Sequence, residues 1–201
     1  ACAFAHFLQY GLKLTERAEY EFRAMDMGNI MHKVLESLIK EVNKEKLSLA
    51  ELSEEERDAL ADRLVDEISA DYGNTILKSS ARNEYMIQRT KRMVRRTVWA
   101  IQKQLKSGEF EPEGVEVVFQ GGRIDRVDTM ETDDGKLYVR VIDYKTGNTS
   151  FDLVSLYHGL QLQLMVYMNT AREEQQQKKK QCIVIPAGIL YYHIDDPFVT
   201  S

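Results

Sequence analysis

The strongest constraint on the fold is residues 122–147, GRIDRVDTMETDDGKLYVRVIDYKTG. Residues 115–127 and 137–142 are rich in apolar and β-branched side chains, which favour β-strands. Between them, the pair Asp134 and Gly135 favours a tight turn, because both residue types tolerate positive φ angles. The pattern therefore predicts two antiparallel strands joined by a turn that is centred on Asp134.

Two acidic residues occupy matching positions in this hairpin. Asp125 lies nine residues before Asp134, and Asp143 lies nine residues after it. Antiparallel pairing is expected to bring the two carboxylates side by side, to within one residue of register. Because strand side chains alternate between faces, Lys145 is expected on the same face as Asp143.

Neighbouring carboxylates on one face predict a cation site. They repel each other unless they are neutralised, and a hard divalent cation with oxygen ligands neutralises them. A lysine beside that cation can hold or activate a water molecule, which suits hydrolysis of a phosphodiester. In the alternative interpretation, the two aspartates are exposed strand residues that form ordinary ion pairs with Arg123, Arg126 or Lys145.

The composition is that of a soluble globular chain with one domain. The 201 residues are 43% apolar and 29% charged, and the net charge of −5 argues against a free-standing non-specific DNA-binding protein. No apolar run is long enough to span a bilayer, so no membrane partner is expected. The two cysteines lie far apart, which favours a reducing, cytoplasmic setting. The chain begins with Ala rather than Met and lacks a basic leader, so we expect a fragment of a larger polypeptide without a signal peptide.

Residues 28–43 are predicted to form a helix, because their apolar residues recur at helical spacing. Gly28 is expected to allow a tight start of this helix. His32 and Glu36 lie one turn apart beside the apolar stripe, so both are candidates to point at one site. The alternative for such a histidine is a structural role.

The middle of the chain is predicted to be helical. A helix over residues 53–72 begins with a capping box, Ser53 and Glu56. A second helix is predicted over residues 78–106, and its basic residues lie close to one face: Arg89, Arg92, Arg96 and Lys103. Few acids intervene there, so contact with DNA phosphates is one interpretation and a solvated surface is the other.

Four elements are predicted around and after the hairpin. Residues 108–114 are expected to be a loop, and residues 155–171 a helix that is apolar nearly all round and therefore buried. Residues 172–181 are expected to be a polar surface connection, and residues 183–194 one or two strands buried on both faces. Buried Gln163 and Tyr167 would need hydrogen-bond partners, which the backbone or a metal site supplies. Cys182 is expected to be a core thiol and His193 to be structural.

Four motifs occur in order: Gly-x-x-x-His at residues 28–32, Gly-x-Ile-Asp at 122–125, Asp-Tyr-Lys at 143–145 and Gln-x-x-x-Tyr at 163–167. Together they resemble the RecB-like branch of the PD-(D/E)XK nuclease superfamily. The resemblance implies an α/β fold with a restriction-endonuclease-like core, in which helices flank a mixed central sheet. It also implies one nuclease domain over residues 1–201, with residues 53–106 as a helical insertion.

The resemblance further implies the roles of individual residues. The Mg²⁺ ligands would be Asp125, Asp143, the backbone carbonyl of Tyr144 and His32. Lys145 would be the catalytic lysine, with Gln163 and Tyr167 orienting the site. The implied activity is exonuclease-type cleavage of DNA.

Within this branch, the chain resembles the B subunits of AddAB-type ATP-dependent helicase–nucleases. The resemblance implies an A-type helicase/nuclease subunit as partner and a role in processing double-strand ends for recombinational repair. It also implies that Cys2, just ahead of a Phe-x-x-Phe-x-x-Tyr-Gly stretch, is the first ligand of a [4Fe–4S] cluster. The other three cysteine ligands are absent from this chain, so the cluster is not expected to be complete here. No Walker A motif is present, which places any ATP-driven motor elsewhere.

Three alternatives remain open from the sequence. In the first, the chain is a catalytically silent DNA-binding or scaffold module of the same fold. In the second, it hydrolyses a small phosphate ester instead of DNA. In the third, it is the nuclease but is inactive without the iron–sulfur cluster and the helicase partner.

Overall fold

The computed structural model describes residues 2–12, 24–71, 81–119, 122–147, 150 and 152–195. Its elements in chain order are α1 (Ala3–His6) with a π-helical turn (Phe7–Gly11), α2 (Ala24–Lys44), α3 (Glu54–Asp71), α4 (Ala81–Lys106), β1 (Glu111–Phe119), β2 (Gly122–Glu131), β3 (Lys136–Lys145), α5 (Leu153–Tyr157), α6 (Gln163–Lys178) and β4 (Ile183–His193). Within these ranges, no helix combines the length and apolar character needed to cross a bilayer.

The four strands form one mixed sheet in the order β1-β2-β3-β4. β2 and β3 pair antiparallel, with Arg126 opposite Ile142 and Glu131 opposite Leu137. This register centres the turn on Asp134, so the predicted hairpin is confirmed. β1 joins β2 antiparallel, whereas β4 joins β3 in parallel.

Helices cover both faces of the sheet, as predicted. The apolar stripe of α2 is at most 4% exposed: Met31, Val34, Leu35, Leu38, Ile39 and Val42. It packs with α3, α4, Ile142 and Tyr144 in one core. On the other face, Leu164 and Met168 of α6 pack against apolar residues of β2, β3 and β4 in a second core. The sheet therefore lies between a three-helix layer and α6.

α2 begins at Ala24, one turn earlier than predicted, so the expected role of Gly28 is wrong. Gly28 lies inside the helix and is buried. A Cβ atom added there would lie 3.0 Å from Oγ1 of Thr146, just past the end of β3. The glycine therefore allows the end of β3 to approach α2 closely.

The two middle helices are confirmed over the residues that the structure describes. Tyr72 and residues 78–80, at the predicted ends of these helices, lie outside the described residues. The predicted capping box is present: the Glu56 amide donates to Oγ of Ser53 at 3.2 Å, and the Ser53 amide donates to the Glu56 carboxylate at 3.0 Å. The carboxylate of Asp62 on α3 accepts a hydrogen bond of 2.7 Å from Nε of Arg95 on α4. The acidic face of α3 thus neutralises part of the basic helix, which the sequence pattern did not indicate.

The prediction of one continuous strand over residues 115–127 is wrong. Two antiparallel strands, β1 and β2, occupy this stretch, and β1 starts at Glu111, inside the expected loop. Gly122 at the start of β2 has a φ of 152°, a value that favours glycine. The apolar character of this stretch reflects two neighbouring strands. The point at which the chain divides into β1 and β2 depends on which residues pair.

The prediction of one buried helix over residues 155–171 is also wrong. The Asp152 carboxylate caps the short helix α5 by accepting hydrogen bonds from the Val154 and Ser155 amides. The chain then leaves the helix, with Gly159 at a φ of 75°, and α6 continues through the segment predicted to be a surface connection. Apolar residues of this region are 43–88% exposed: Leu153, Val154, Tyr157, Leu160, Leu162, Met165 and Val166.

β4 is a single strand at the edge of the sheet, so the predicted burial on both faces is wrong. Val184 is buried, whereas His193 is exposed. A register shift separates Pro186 from Gly188, which accommodates the proline within the strand. Cys182, just before β4, is partly buried against the second core, and its sulfur lies 3.6 Å from Glu131.

Candidate metal centre

Asp125 and Asp143 lie on two adjacent strands, near the start of β2 and near the end of β3. Arg126 pairs with Ile142, so the next positions along each strand place Asp125 opposite Asp143. The two residues are only 9% and 3% exposed, respectively. The alternative interpretation, in which both are exposed strand residues, is therefore wrong.

Asp125 is held by a backbone amide and by a histidine from α2. The Tyr144 amide donates to Oδ2 of Asp125 at 2.8 Å. Nδ1 of His32 lies 3.3 Å from Oδ1 of the same carboxylate. The hydrogen bond to Asp125 raises the pKa of His32, although burial opposes this shift. The structure thus brings the predicted histidine to the predicted hairpin.

Asp143 is buried and forms an ion pair with Lys145. Nζ of Lys145 lies 2.6 Å from Oδ2 of Asp143. Burial raises the pKa of Asp143, Lys145 lowers it, and the negative charge of Asp125 raises it again, so that the net shift is upward. A buried carboxylate is costly unless a positive charge lies beside it, and the ammonium of Lys145 supplies one such charge.

Lys145 is oriented by its strand and by a ring on the next strand. Its ammonium lies 5.4 Å from the centre of the Tyr191 ring on β4. Burial lowers the pKa of Lys145, but the carboxylate of Asp143 outweighs this effect and raises it. The lysine therefore stays protonated beside the two aspartates.

A third acidic residue, Glu116, was not among the predicted site residues. Its carboxylate and the ligand atoms of His32 and Asp125 all lie within 4.8 Å of one another. Burial raises the pKa of Glu116, which the charge of Arg123 opposes. The available sequence signal was a glutamate inside the apolar run VEVVF, nine residues before Asp125.

Most of the predicted site residues line one cavity of about 500 Å³, together with Asn29, Arg123, Thr146 and Gly147. The predicted residues in its wall are His32, Asp125, Asp143, Tyr144, Lys145, Gln163 and Tyr167. Glu36 is not among them and pairs with Lys40 instead. A larger cleft of about 710 Å³ near residues 46–51 and 108–113 contains none of the predicted site residues.

Gln163 and Tyr167 face the hairpin from α6. The Gln163 side-chain amide donates to the Tyr167 hydroxyl at 2.6 Å. Tyr167 is 7% exposed and packs edge-on against Phe119 with ring centres 5.6 Å apart. Gln163 is exposed, so the prediction that both residues are buried is wrong for Gln163.

These residues fit a divalent cation. Carboxylate oxygens are the preferred ligands of Mg²⁺ and Mn²⁺, and an imidazole nitrogen is a common additional ligand. The observation of this structure that favours a cation is the group of His32, Glu116 and Asp125, whose ligand atoms all lie within 4.8 Å of one another. Asp143 lies opposite Asp125 on the next strand, and it is the fourth residue that could supply a ligand.

A family profile described as the PD-(D/E)XK nuclease superfamily matches residues 1–201. The chain belongs to the PD-(D/E)XK nuclease superfamily. Its mixed sheet flanked by helices is consistent with the expected restriction-endonuclease-like fold. Nucleases of this superfamily generally use a divalent metal, in agreement with the group of His32, Glu116 and Asp125.

Similar proteins share one name, which describes the B subunit of an ATP-dependent helicase/deoxyribonuclease. The protein of Lachnoclostridium phytofermentans is 48% identical over all of this chain, which covers 18% of that relative. The relatives from Caldanaerobacter subterraneus and Alkaliphilus metalliredigens are 40% and 37% identical over the whole chain, which covers 19% of each. The chain thus spans less than a fifth of the length of these relatives.

A buried polar network supports the candidate metal centre of this PD-(D/E)XK domain. Arg126 is fully buried and donates from Nε and Nη2 to the equally buried Asp128 at 2.7 and 2.8 Å. Its Nη1 donates to the Tyr144 hydroxyl at 3.1 Å. Since the Tyr144 amide holds Asp125, this network fixes the backbone under the site. Arg126 therefore does not pair with the site carboxylates, contrary to the alternative interpretation.

The remaining predicted residues lie outside the cavity. On α4, Arg92, Arg96 and Lys103 are exposed, and Arg89 is half-buried. Nζ of Lys103 lies 5.9 Å from the ring centre of Trp99. Cys2 is exposed just before α1 and forms no disulfide. Their roles in DNA contact and iron–sulfur binding stay predictions.

Proposed function

We propose that this chain is a Mg²⁺-dependent DNA nuclease domain that hydrolyses phosphodiester bonds. The observation that carries the proposal is the buried pair Asp125 and Asp143 on adjacent strands, with His32 beside Asp125 and Lys145 beside Asp143. A structural role for this arrangement is disfavoured, because two neighbouring buried carboxylates repel each other and destabilise the folded chain.

Each residue has a role in the proposal. Asp125, Asp143, His32 and the backbone carbonyl of Tyr144 would hold Mg²⁺. When bound, the ion polarises a phosphoryl oxygen and lowers the pKa of a bound water. The ammonium of Lys145 positions the attacking water and offsets the negative charge that develops on the phosphate.

Gln163 and Tyr167 orient these groups from the other side of the cavity. Their mutual hydrogen bond of 2.6 Å restricts both side chains, because the Tyr167 ring is itself packed against Phe119. Their polar atoms face the cavity that contains Asp143 and Lys145. We therefore assign them to positioning of the lysine, the water or the scissile phosphate.

The names of the relatives extend the proposal to a larger assembly. We propose that residues 1–201 are one nuclease domain, with residues 53–106 as a helical insertion, in the B subunit of a cytoplasmic helicase–nuclease. Its partners would be DNA and an A-type helicase/nuclease subunit, and it would act as an exonuclease on double-strand ends during recombinational repair. Cys2 would supply one ligand of a [4Fe–4S] cluster in the longer polypeptide.

The test uses linear DNA, Mg²⁺ and two substitutions in the site, Asp143→Ala and Lys145→Ala. Asp134 and Lys136 provide matched controls, because they form an ion pair with the same Asp-x-Lys spacing at an exposed turn. Each site variant is expected to lose at least about 100-fold in cleavage rate, whereas Asp134→Ala and Lys136→Ala retain it. Equal cleavage by all five proteins would refute the proposal.

The same experiment separates the alternatives. DNA binding that survives chelation of Mg²⁺, with no cleavage by any protein, would identify a silent binding module. Hydrolysis of a chromogenic phosphodiester without cleavage of DNA would identify a small-ester hydrolase. Cleavage only by a longer polypeptide with its helicase partner would show that the isolated domain requires its assembly.

A further inference from the structure

Glu116 combines three features that are unusual for a residue in the middle of a strand. Its side chain is only 8% exposed, although it carries a carboxylate. Its φ angle is 52°, in the left-handed region that glutamate rarely adopts. It also lies opposite Asp125, because Val115 pairs with Arg126 and Val117 with Ile124. No motif of the sequence assigns this residue a role.

The sheet changes the direction of its side chains at this position. Residues two apart in a strand normally share a face. Val117 and its partner Ile124 pack in the core beneath α6. Val115 packs in the core beneath α2, and its partner Arg126 contacts Gln104 of α4 on that same face. The face therefore switches at Glu116.

This switch aims Glu116 at the metal centre. A left-handed conformation costs about 1–2 kcal/mol for a residue with a side chain, and such strained residues cluster at functional sites. The result is that the Glu116 carboxylate lies within 4.8 Å of the ligand atoms of both His32 and Asp125. In a strand with regular alternation, the Glu116 side chain would lie on the same face as the side chains two positions before and after it.

Arg123 partly neutralises Glu116. The two side chains form an ion pair in which Arg123 is 57% exposed and Glu116 is nearly buried. Arg123 lines the cavity, whereas Glu116 does not form part of its wall. The guanidinium thus covers the glutamate from the side where an ion would enter.

We propose that Glu116 is a further ligand of the divalent cation, shared with His32 and Asp125, and that the cation competes with Arg123 for its carboxylate. The ligand atoms of Glu116, His32 and Asp125 all lie within 4.8 Å of one another, and Asp143, opposite Asp125 on the next strand, adds a further buried carboxylate. Three carboxylates on three adjacent strands and one imidazole then converge on one ion. The inference rests on the proposed function for the presence of that ion.

The test measures Mn²⁺ affinity in the absence of DNA, by the electron paramagnetic resonance signal of free Mn²⁺. Glu116→Gln is expected to weaken binding at least about 10-fold, on the scale seen when groups that support a metal site are lost. Arg123→Gln removes the competing cation, so it is expected to tighten binding several-fold. Glu111→Gln, at an exposed position of the same strand, is expected to leave the affinity unchanged.

The opposite signs of the two effects distinguish a ligand from a structural ion pair. If the pair were structural, both substitutions would reduce the unfolding free energy and neither would alter Mn²⁺ affinity, which would overturn the inference. Arg123 is mostly exposed, so the Arg123→Gln variant is expected to fold. It therefore keeps the test decisive if Glu116→Gln does not fold. Unchanged or weaker Mn²⁺ binding by Arg123→Gln would likewise contradict the proposed competition.

Failure of this inference differs from failure of the proposed function. Unchanged Mn²⁺ binding by Glu116→Gln, with DNA cleavage by the wild-type chain, overturns only the inference. Weaker binding by Glu116→Gln, without any DNA cleavage, supports the inference and counts against the nuclease. A wild-type chain that binds no Mn²⁺ overturns both.

Discussion

Replacing Asp128 with asparagine is expected to destabilise the whole domain, although Asp128 lies outside the cavity. Its carboxylate accepts two hydrogen bonds from Arg126, and both residues are fully buried. It accepts a third, of 2.7 Å, from Arg140. The substitution removes the negative charge while the guanidinium of Arg126 remains buried. An uncompensated buried charge is among the most destabilising changes in a protein.

The expected loss follows from this geometry. Breaking a buried ion pair by removing one partner costs about 3–5 kcal/mol. Asparagine keeps one acceptor oxygen, so we expect the lower end, about 3 kcal/mol. For a chain of this size the melting temperature falls by roughly 2–4 °C per kcal/mol, which predicts a decrease of roughly 6–12 °C. The effect is a large part of a typical total stability of about 5–15 kcal/mol.

Urea unfolding followed by circular dichroism measures this loss directly. The control is Asp134→Asn, which also removes one carboxylate from the hairpin but at an exposed ion pair, and is expected to leave the stability nearly unchanged. The double variant Arg126→Met with Asp128→Leu removes both buried charges and is expected to recover much of the loss. Equal stability of the Asp128→Asn and Asp134→Asn variants would refute the reasoning.

Two further predictions concern the approach of α2 and the basic face of α4. Gly28→Ala places a Cβ atom 3.0 Å from Oγ1 of Thr146, so Thr146, just past the end of β3, must give way by a few tenths of an ångström. DNA cleavage is expected to fall several-fold, while stability changes by less than about 1 kcal/mol because alanine favours the helix. The double variant Arg92→Gln with Arg96→Gln is expected to weaken DNA binding and to reduce the slope of log affinity against log salt by up to about 2.

Matched controls accompany both predictions. Gly108→Ala meets no atom within 4 Å, so its cleavage rate is expected to stay at the wild-type value. Arg95→Gln removes a charge that is already paired with Asp62, so it is expected to leave the salt slope unchanged. A loss of cleavage in Gly108→Ala equal to that in Gly28→Ala would contradict the packing argument. An equal change of salt slope in Arg95→Gln would contradict the assignment of the exposed arginines.

The hairpin and its acidic pair were predictable because both depend on local rules. The turn at Asp134 follows from residue type, and the position of Asp143 opposite Asp125 follows from counting outward from that turn. The same holds for the capping box at Ser53, where two residues three positions apart satisfy each other. Such features require contacts between near neighbours in the chain.

The errors occurred where an apolar pattern alone had to decide the structure. The run over residues 115–127 contains strand-forming side chains throughout, and only the pairing of β1 with β2 divides it. The apolar residues around α5 are compatible with a buried helix, yet Asp152 starts a shorter helix and Gly159 interrupts the next turn. A hydrophobic residue can therefore lie on the surface wherever the rest of the domain offers no face to cover it.

The order of residues along the chain was enough to determine the hairpin, the stripe of α2 and the Asp-x-Lys spacing, since each arises from the periodicity of a single element. Tertiary structure alone decided that His32 meets Asp125, that Arg126 turns away toward Asp128, and that Glu116 lies close to His32 and Asp125. These contacts join separate elements, and their geometry depends on how sheet and helices pack. For Glu116 the deciding factor is one left-handed backbone conformation, which leaves no trace in the apolar pattern around it.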